Sequence, residues 1–505
     1  MTMTKKIVLS TLTALTLLFI GCNNIDPVVQ PEPTVTLDDE VNDFVWKAMN
    51  HWYFWQSDVV NLDDSKDDEI DAYYTFLNGF SESKDLFESL LNSSADDFSW
   101  YIPDLEAQLN EFRGISVTYG IELPRTVVSY DANNNIVIFV AYVVPGSPAD
   151  LAGIERGDLI YKVDGTVLNT TNFSLLNGII FPEGSISLGI ARFENGDLVP
   201  KGNDVSLNTI EVTENPVHFS SIIEEGGKKI GYLVYNGFRR TYHNELNGVF
   251  STFKAQNIDE LVLDLRYNGG GSVLTSAYLS SMIEGSKANG TTFALLTYNA
   301  KRNAQNGITF PFSDNAILFN KETGLSENIT IPISRLANLS RIYVLTSDKT
   351  ASASEMIING LRPSMEVITV GTTTVGKNEG SNTLVDAPAT NNDQIFTNVE
   401  GRNPNHEVAL QPITFQIFNS LNQSNYTEGF LADIEVDEID FTANILPFGD
   451  TNEVLLRTAI NNILGISTRS SQLTPKLQVY KYGKLAKKKF SEEMYILPGE
   501  EILRK

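Results

Sequence analysis

The chain has 505 residues, enough for three or four domains, with 42% hydrophobic and 20% charged residues, an ordinary globular balance. Its net charge of −26 argues against a nucleic-acid partner, because phosphate binding needs a basic patch. The four histidines (His51, His218, His243, His406) are scattered without HxxxH or CxxC spacing, so neither a metal nor another cofactor is expected.

At the start, Lys5 and Lys6 precede an apolar run from Ile7 to Ile20, then Gly21 and Cys22, the pattern of a secretory signal. The run is short for a membrane span. Cys22 is the only cysteine, which rules out an internal disulfide. An ordinary signal peptide with an incidental cysteine fits the run too. The placement of Cys22 after a small residue nevertheless resembles the bacterial lipoprotein processing site, with Phe19 where leucine is usual. That resemblance implies a signal peptide over 1–22 and a lipid anchor on Cys22, holding the protein to a membrane of the bacterial cell envelope, periplasmic or surface-exposed. Residues 23–40, with Pro27, Pro31 and Pro33, are expected to be a flexible tether.

Over 41–112 the pattern turns helical. Val41, Phe44, Val45, Met49, Trp52 and Trp55 recur at helical spacing, and further helices are expected at Ile70 to Phe80 and around Leu86 to Leu91. The four tryptophans (Trp46, Trp52, Trp55, Trp100) crowd this region, which suits packing of a small helical domain, or else a carbohydrate or peptide groove. Over 113–212 strand-like runs appear at Ser116 to Leu123, Thr126 to Tyr130, Ile136 to Val144 and Leu159 to Val163. The stretch SPADLAGIERGDLIYKVDG is similar to part of PDZ domains, which add a peptide as an extra strand and hold its carboxylate on backbone amides. The best match to that carboxylate loop is Tyr119-Gly120-Ile121. A small β-barrel closed by the same residues is the alternative.

From 213 to 465 strands and helices alternate, which predicts an α/β domain with buried parallel strands. Expected strands include Ile230 to Tyr235, Leu261 to Leu265, Ile342 to Thr346 and Val367 to Val370; expected helices include His243 to Lys254 and Ser272 to about Ile283. Gly269-Gly270-Gly271 opens the second of these helices. Ser352 starts an apolar-periodic segment (Met356, Ile357, Leu361) that Pro363 ends, so it sits at a strand-to-helix turn near the positive end of a helix dipole. Lys377 follows on the Gly-rich loop after the next strand. A serine so placed suits an N-cap, or a nucleophile with lysine as its base. Val408 to Phe418 is strand-like with no assignable partner. Residues 466–505 turn polar and basic, with Lys476, Lys481, Lys484 and Lys487 to Lys489, and read as a solvated tail or a late-docking element.

Thr350 to Glu355 (TASASE) followed by Gly376-Lys377, the block LVLDLRYNGGGSV (Leu261 to Val273), and the PDZ-like stretch upstream resemble the C-terminal processing, or tail-specific, serine peptidases. The likeness covers roughly 114–441. It implies a crotonase-like ββα spiral as the catalytic domain, and thus a multidomain α/β chain with a PDZ-like β domain and a small helical domain in front. It also implies Ser352 as nucleophile, Lys377 as base, and oxyanion donors on the backbone of Ala353 and Gly270. A lysine acts as base only as the neutral amine, which Gly371, Val375 and Gly376 would permit and a facing Glu379 would oppose. Ser352 and Ser354 cannot both face Lys377, being two helical positions apart; the family spacing selects Ser352. Where the family usually has glutamine four residues after the lysine, this chain has Ser381. Asp264 and Arg266 are expected to be structural, and Glu355 to cap or orient its helix. The implied partners are polypeptides with free C-termini. The competing expectation is a weak or inactive PDZ-bearing peptide-binding lipoprotein on the same scaffold.

Overall fold

A computed structural model describes residues 33–306, 308–388, 395–466, 479–497 and 500; Cys22, the signal and most of the tether lie outside them. The fold is mixed α/β. Its centre is a six-stranded sheet in the order Val217–Glu225, Lys228–Tyr235, Glu260–Asp264, Arg341–Thr346, Glu366–Gly371, Ile434–Glu435, parallel except for the first pair. The runs ELVLD and RIYVLT are buried almost throughout because helices and a second sheet cover both faces. That second sheet runs Gly271–Ser272, Met494–Ile496, Glu379–Asn382, Ile413–Asn419, Thr292–Tyr298, Ile308–Pro311. Between the sheets lies the helix Val273–Ile283, every residue of which is buried, with Ser272 accepting from Thr275 N as its N-cap.

The front helices are Glu40–Trp52, Ile70–Leu77 and Ser83–Ser89, the last two shorter than or offset from their expected spans. Asp39 caps the first by accepting from Val41 N. Trp46 and Trp52 are buried in one apolar core continuous with Phe238, Leu263 and Ile357, so these two tryptophans pack rather than line a groove. A three-stranded sheet (Trp100–Ile102, Ala409–Gln411, Leu384–Val385) joins this region to the α/β half.

The PDZ-like segment has its own core around Tyr119, Ile138, Ile160 and Leu188. The long strand expected from Ser116 to Leu123 is broken into Ile115–Thr118 and Ile121–Glu122. The break is Gly120, with φ +82°, where a Cβ would collide with the Ser147 side chain. Ile136 to Val144 is likewise split at Val140 and Ala141.

The described part of the basic tail is not a solvated one. Tyr480–Lys484 adds to the PDZ-like sheet beside Thr126–Ser129, and Met494–Ile496 is an inner strand of the second sheet. The lysines gave the stretch its solvated appearance; Leu485, Met494, Tyr495 and Ile496 supply the apolar contacts that dock it.

Candidate active site

Strand Arg341–Thr346 delivers the chain to a short turn, and helix Ala353–Leu361 starts at once after Ser352. Ser352 is its N-cap, with φ 63° and ψ −115°. A non-glycine residue held there costs about 1–3 kcal/mol and persists only where its surroundings impose it, most often at functional sites. The imposing group is Glu355. Its Oε2 accepts from Ser352 N at 2.8 Å and from Lys377 N at 2.9 Å, while Oε1 accepts from Gly376 N at 2.7 Å and Thr374 Oγ1 at 2.5 Å. One carboxylate therefore ties the start of the helix to the lysine loop. Burial pushes this carboxyl up to about 7, against the four hydrogen bonds that favour its ionised form.

Ser352 Oγ is buried and has no hydrogen-bond partner among the described residues. Gly270 packs directly on it: a Cβ there would lie 2.8 Å from Ser352 Cβ and 3.1 Å from Ala353 N. Ala353 occupies the first helical position, whose N–H has no intrahelical acceptor. The expected nucleophile and both expected oxyanion residues are thus brought together. The Gly270 N–H, however, donates to Asn268 Oδ1 at 2.9 Å, because that side chain folds back under the turn. The amide of the triplet that holds a carbonyl is Gly271, donating to Glu493 O at 2.6 Å. Ser354 faces elsewhere, with its Oγ donating to Asn268 O at 2.9 Å.

Lys377 is fully buried. Its Nζ donates to Glu493 Oε2 at 3.0 Å and lies 4.4 Å from the centre of the Phe98 ring. Glu493 Oε1 accepts from Trp100 Nε1 at 2.9 Å. A carboxylate and an aromatic face both suit a charged amine. Ser381, at the position where glutamine was expected, joins the same network. Its Oγ lies 3.5 Å from Glu493 Oε2 and donates to Met494 O at 3.2 Å, and Gln411 Nε2 from the neighbouring strand donates to it at 2.8 Å. Burial raises Glu379 to about 7, the charge of Lys377 opposing that rise. Asp264 and Arg266 are structural, as expected: Arg266 bridges Asp264 (2.8 Å), Glu453 (2.7 Å) and Glu438 (2.8 Å) below the sheet.

Gly120 and Ile121 lie across a cleft of about 300 Å³ from the glycine triplet, with Arg125, Tyr267 and Leu485 on its walls, while Tyr119 is buried in the PDZ-like core. Gly120 N donates to Thr118 Oγ1 at 3.0 Å, and the Tyr119 and Gly120 carbonyls accept from Ala149 N and Val144 N.

Residues 229–395 match the model of peptidase family S41, residues 40–100 that of the peptidase S41 N-terminal domain, and residues 139–174 that of the PDZ domain. The segment 229–395, a third of the chain, is thus similar to peptidase family S41. A solved structure from Bacteroides fragilis, described as a candidate S41 protease, has a TM-score of 0.65 at 26% identity, covering 86% of this chain and all of that one. Among curated relatives, the carboxyl-terminal-processing protease of a Picosynechococcus strain is 24% identical over 268 residues, 53% of this chain and 57% of that protein. CtpA of Bacillus subtilis, a carboxy-terminal processing protease, is 26% identical over 246 residues, 48% of this chain and 44% of its own length. The chain thus spans about half the length of these relatives.

Two residues of this site escaped sequence reasoning, and a third did so in part. The Ser-x-x-Glu spacing of a capping box marks Glu355 as a partner of Ser352 N, though not its reach to Lys377. Gln411 and Glu493 gave no local signal, since strand pairing alone brings them near Lys377.

Proposed function

We propose that this protein is a serine endopeptidase of the S41 kind that cuts polypeptides with a Ser352–Lys377 dyad and receives substrate C-termini through its PDZ-like domain. The observation that carries this reading is Glu355, whose one oxygen holds the backbone N–H of both residues while Ser352 is kept in a strained turn with an unpartnered hydroxyl. Ser352 Oγ attacks the scissile carbonyl as its proton passes to neutral Lys377 Nζ. Lys377 then gives that proton to the leaving amine as the C–N bond breaks, leaving an ester on Ser352. Water, deprotonated by Lys377, attacks the ester; the C–O bond breaks, the acid departs and Ser352 regains its proton. The Ala353 N–H, and the Gly271 N–H once the Glu493 carbonyl leaves it, steady the oxyanion, and the scheme needs no cofactor. In the resting arrangement Lys377 Nζ is held by Glu493, and the amine turns to Ser352 when that contact opens.

The lipoprotein reading of Lys5 to Cys22 places the enzyme on a membrane of the bacterial envelope, anchored through Cys22. The test of the catalytic reading is cleavage of a denatured protein with an apolar C-terminus. Ser352→Ala and Lys377→Arg should both abolish it, the latter because arginine stays protonated. Turnover by the arginine variant would remove Lys377 as the base.

A further inference from the structure

The described C-terminal stretch passes through both places that the proposed function assigns to a substrate. Tyr480–Lys484 is an added strand, antiparallel to Thr126–Ser129, the strand that follows Tyr119-Gly120-Ile121. Its direction leads towards that loop: Lys484 lies opposite Thr126, and Leu485 N donates to Arg125 O at 2.8 Å. Main-chain bonds along a sheet edge with one side chain in an apolar pocket are how a peptide adds to such a sheet. Leu485 fills that role, 8% exposed within the cluster of Tyr119, Ile121 and Ile179. Before it, Lys481 meets Asp437 at 2.5 Å and Asp440 at 3.5 Å, and Lys484 meets Asp348 at 3.1 Å.

The chain then crosses to the catalytic turn. Glu492 pairs with Arg125 and Lys487 on the way. The Ser491 carbonyl packs so closely on Gly269 that no side chain fits there, and the Glu493 carbonyl takes the Gly271 N–H. The Glu493 carboxylate ends on Lys377 Nζ. Met494–Ile496, buried between two strands, anchors this arm, whereas Tyr480–Lys484 is mostly exposed.

We propose that residues 480–493 are a tethered pseudo-ligand. Tyr480–Leu485 fills the peptide groove of the PDZ domain and Glu493 blocks the catalytic lysine, until a polypeptide of like chemistry displaces the arm. That ligand is an extended C-terminal segment whose last residue is apolar and follows basic residues one and four positions earlier, as Leu485 follows Lys484 and Lys481. The groove half is a binding statement; only the Glu493 half rests on the peptidase reading.

The test uses the full chain with Ser352→Ala and a fluorescent peptide, Val-Tyr-Lys-Tyr-Gly-Lys-Leu with a free carboxylate, followed by anisotropy. A tethered competitor acts at an effective concentration in the millimolar range, so releasing it should tighten peptide binding roughly tenfold to a hundredfold. Leu485→Asp should release it fully. Lys481→Glu with Lys484→Glu, on side chains 47% and 67% exposed, should release it in part without endangering the fold, tightening binding about threefold. If the second variant binds the peptide no better than its parent, the inference falls, whatever Leu485→Asp does to folding. With Ser352 restored, release should also raise the cleavage rate; a fall would mean that the arm completes the site, which overturns the proposal. Tight binding to released chains with no cleavage by any chain keeps this inference and removes the peptidase function. Cleavage that neither release alters, with unchanged binding, does the reverse.

Discussion

Replacing Glu355 with glutamine probes the joint between Ser352 and Lys377, the two residues of the proposed dyad. The side-chain amide has one acceptor where the carboxylate has two, so its carbonyl can serve the Ser352 and Lys377 N–H groups only by turning its NH2 towards Gly376 N and Thr374 Oγ1. The threonine hydroxyl can rotate to accept; the Gly376 N–H cannot, and is left unpaired in the interior at a cost of about 1–3 kcal/mol. The penalty depends on pH. Glu355 titrates near 7 in the folded chain against about 4.5 unfolded, so the folded state holds the extra proton between those values. The carboxyl thus adds stability at acid pH that is lost as pH rises through 7, on the order of 3 kcal/mol over the whole window. The glutamine variant lacks that slope. Urea denaturation of both chains at pH 5, 6, 7 and 8 should show a stability gap widest at pH 5 and narrowing by pH 8; taking the difference cancels other groups such as Glu379. Peptidase kcat should drop on the order of a hundredfold with KM little changed, because a displacement of about 1 Å between nucleophile and base has that effect. A gap that does not vary with pH, or an unchanged kcat, would refute the idea that one buried carboxylate positions both residues.

Ser352→Ala should abolish cleavage with the fold intact by circular dichroism, whereas Ser354→Ala should keep activity and lose about 1 kcal/mol of stability with its bond to Asn268 O; the opposite pattern in the cleavage assay would reassign the nucleophile. Glu493→Gln keeps a hydrogen bond to Lys377 but removes the charge paired with it, so the cleavage rate should rise; an unchanged or lower rate would exclude Glu493 as the group that holds the lysine back. Amidating a substrate tail removes the charge that backbone amides near Tyr119-Gly120-Ile121 would hold, at about 1.5–3 kcal/mol, so kcat/KM should drop roughly tenfold to a hundredfold; equal cleavage of free and amidated tails would mean that this loop does not bind carboxylates.

What was legible in the sequence is what local periodicity determines. The helix that starts at Ser352 ends at Leu361, two residues before Pro363, as the apolar spacing and the proline require. The buried runs at Leu261 and Ile342 became neighbouring parallel strands because nothing but an interior can hold them. The loop geometry at Gly120 was visible only as a motif, since its left-handed φ breaks what otherwise looks like one alternating strand. Glu355 was half legible: its spacing from Ser352 predicts the cap, but its other three bonds wait on the return of residues 374–377.

The docking of residues 480–493 stood as only one of two readings, for a physical reason. The lysines of this arm are countered by acids distant in sequence (Asp348 and Asp437) and by Glu492 nearby, while its docking rests on one leucine and on backbone bonds, to which hydropathy is blind. The same blindness hid the change at Ser381. Considered alone, a serine in place of glutamine leaves Lys377 without a polar neighbour of the right length. With Met494–Ile496 inserted beside Glu379–Asn382, the missing length is made up by Glu493 from the far end of the chain, with Gln411 bonded to Ser381 behind it. Ser381 and the inserted strand therefore meet in one network around Lys377. A lysine held from its own strand keeps its partner through every turnover, whereas a lysine held from a mostly exposed arm loses it whenever the arm is displaced. This chain has the second arrangement, which makes access to the groove and readiness of the base parts of a single equilibrium.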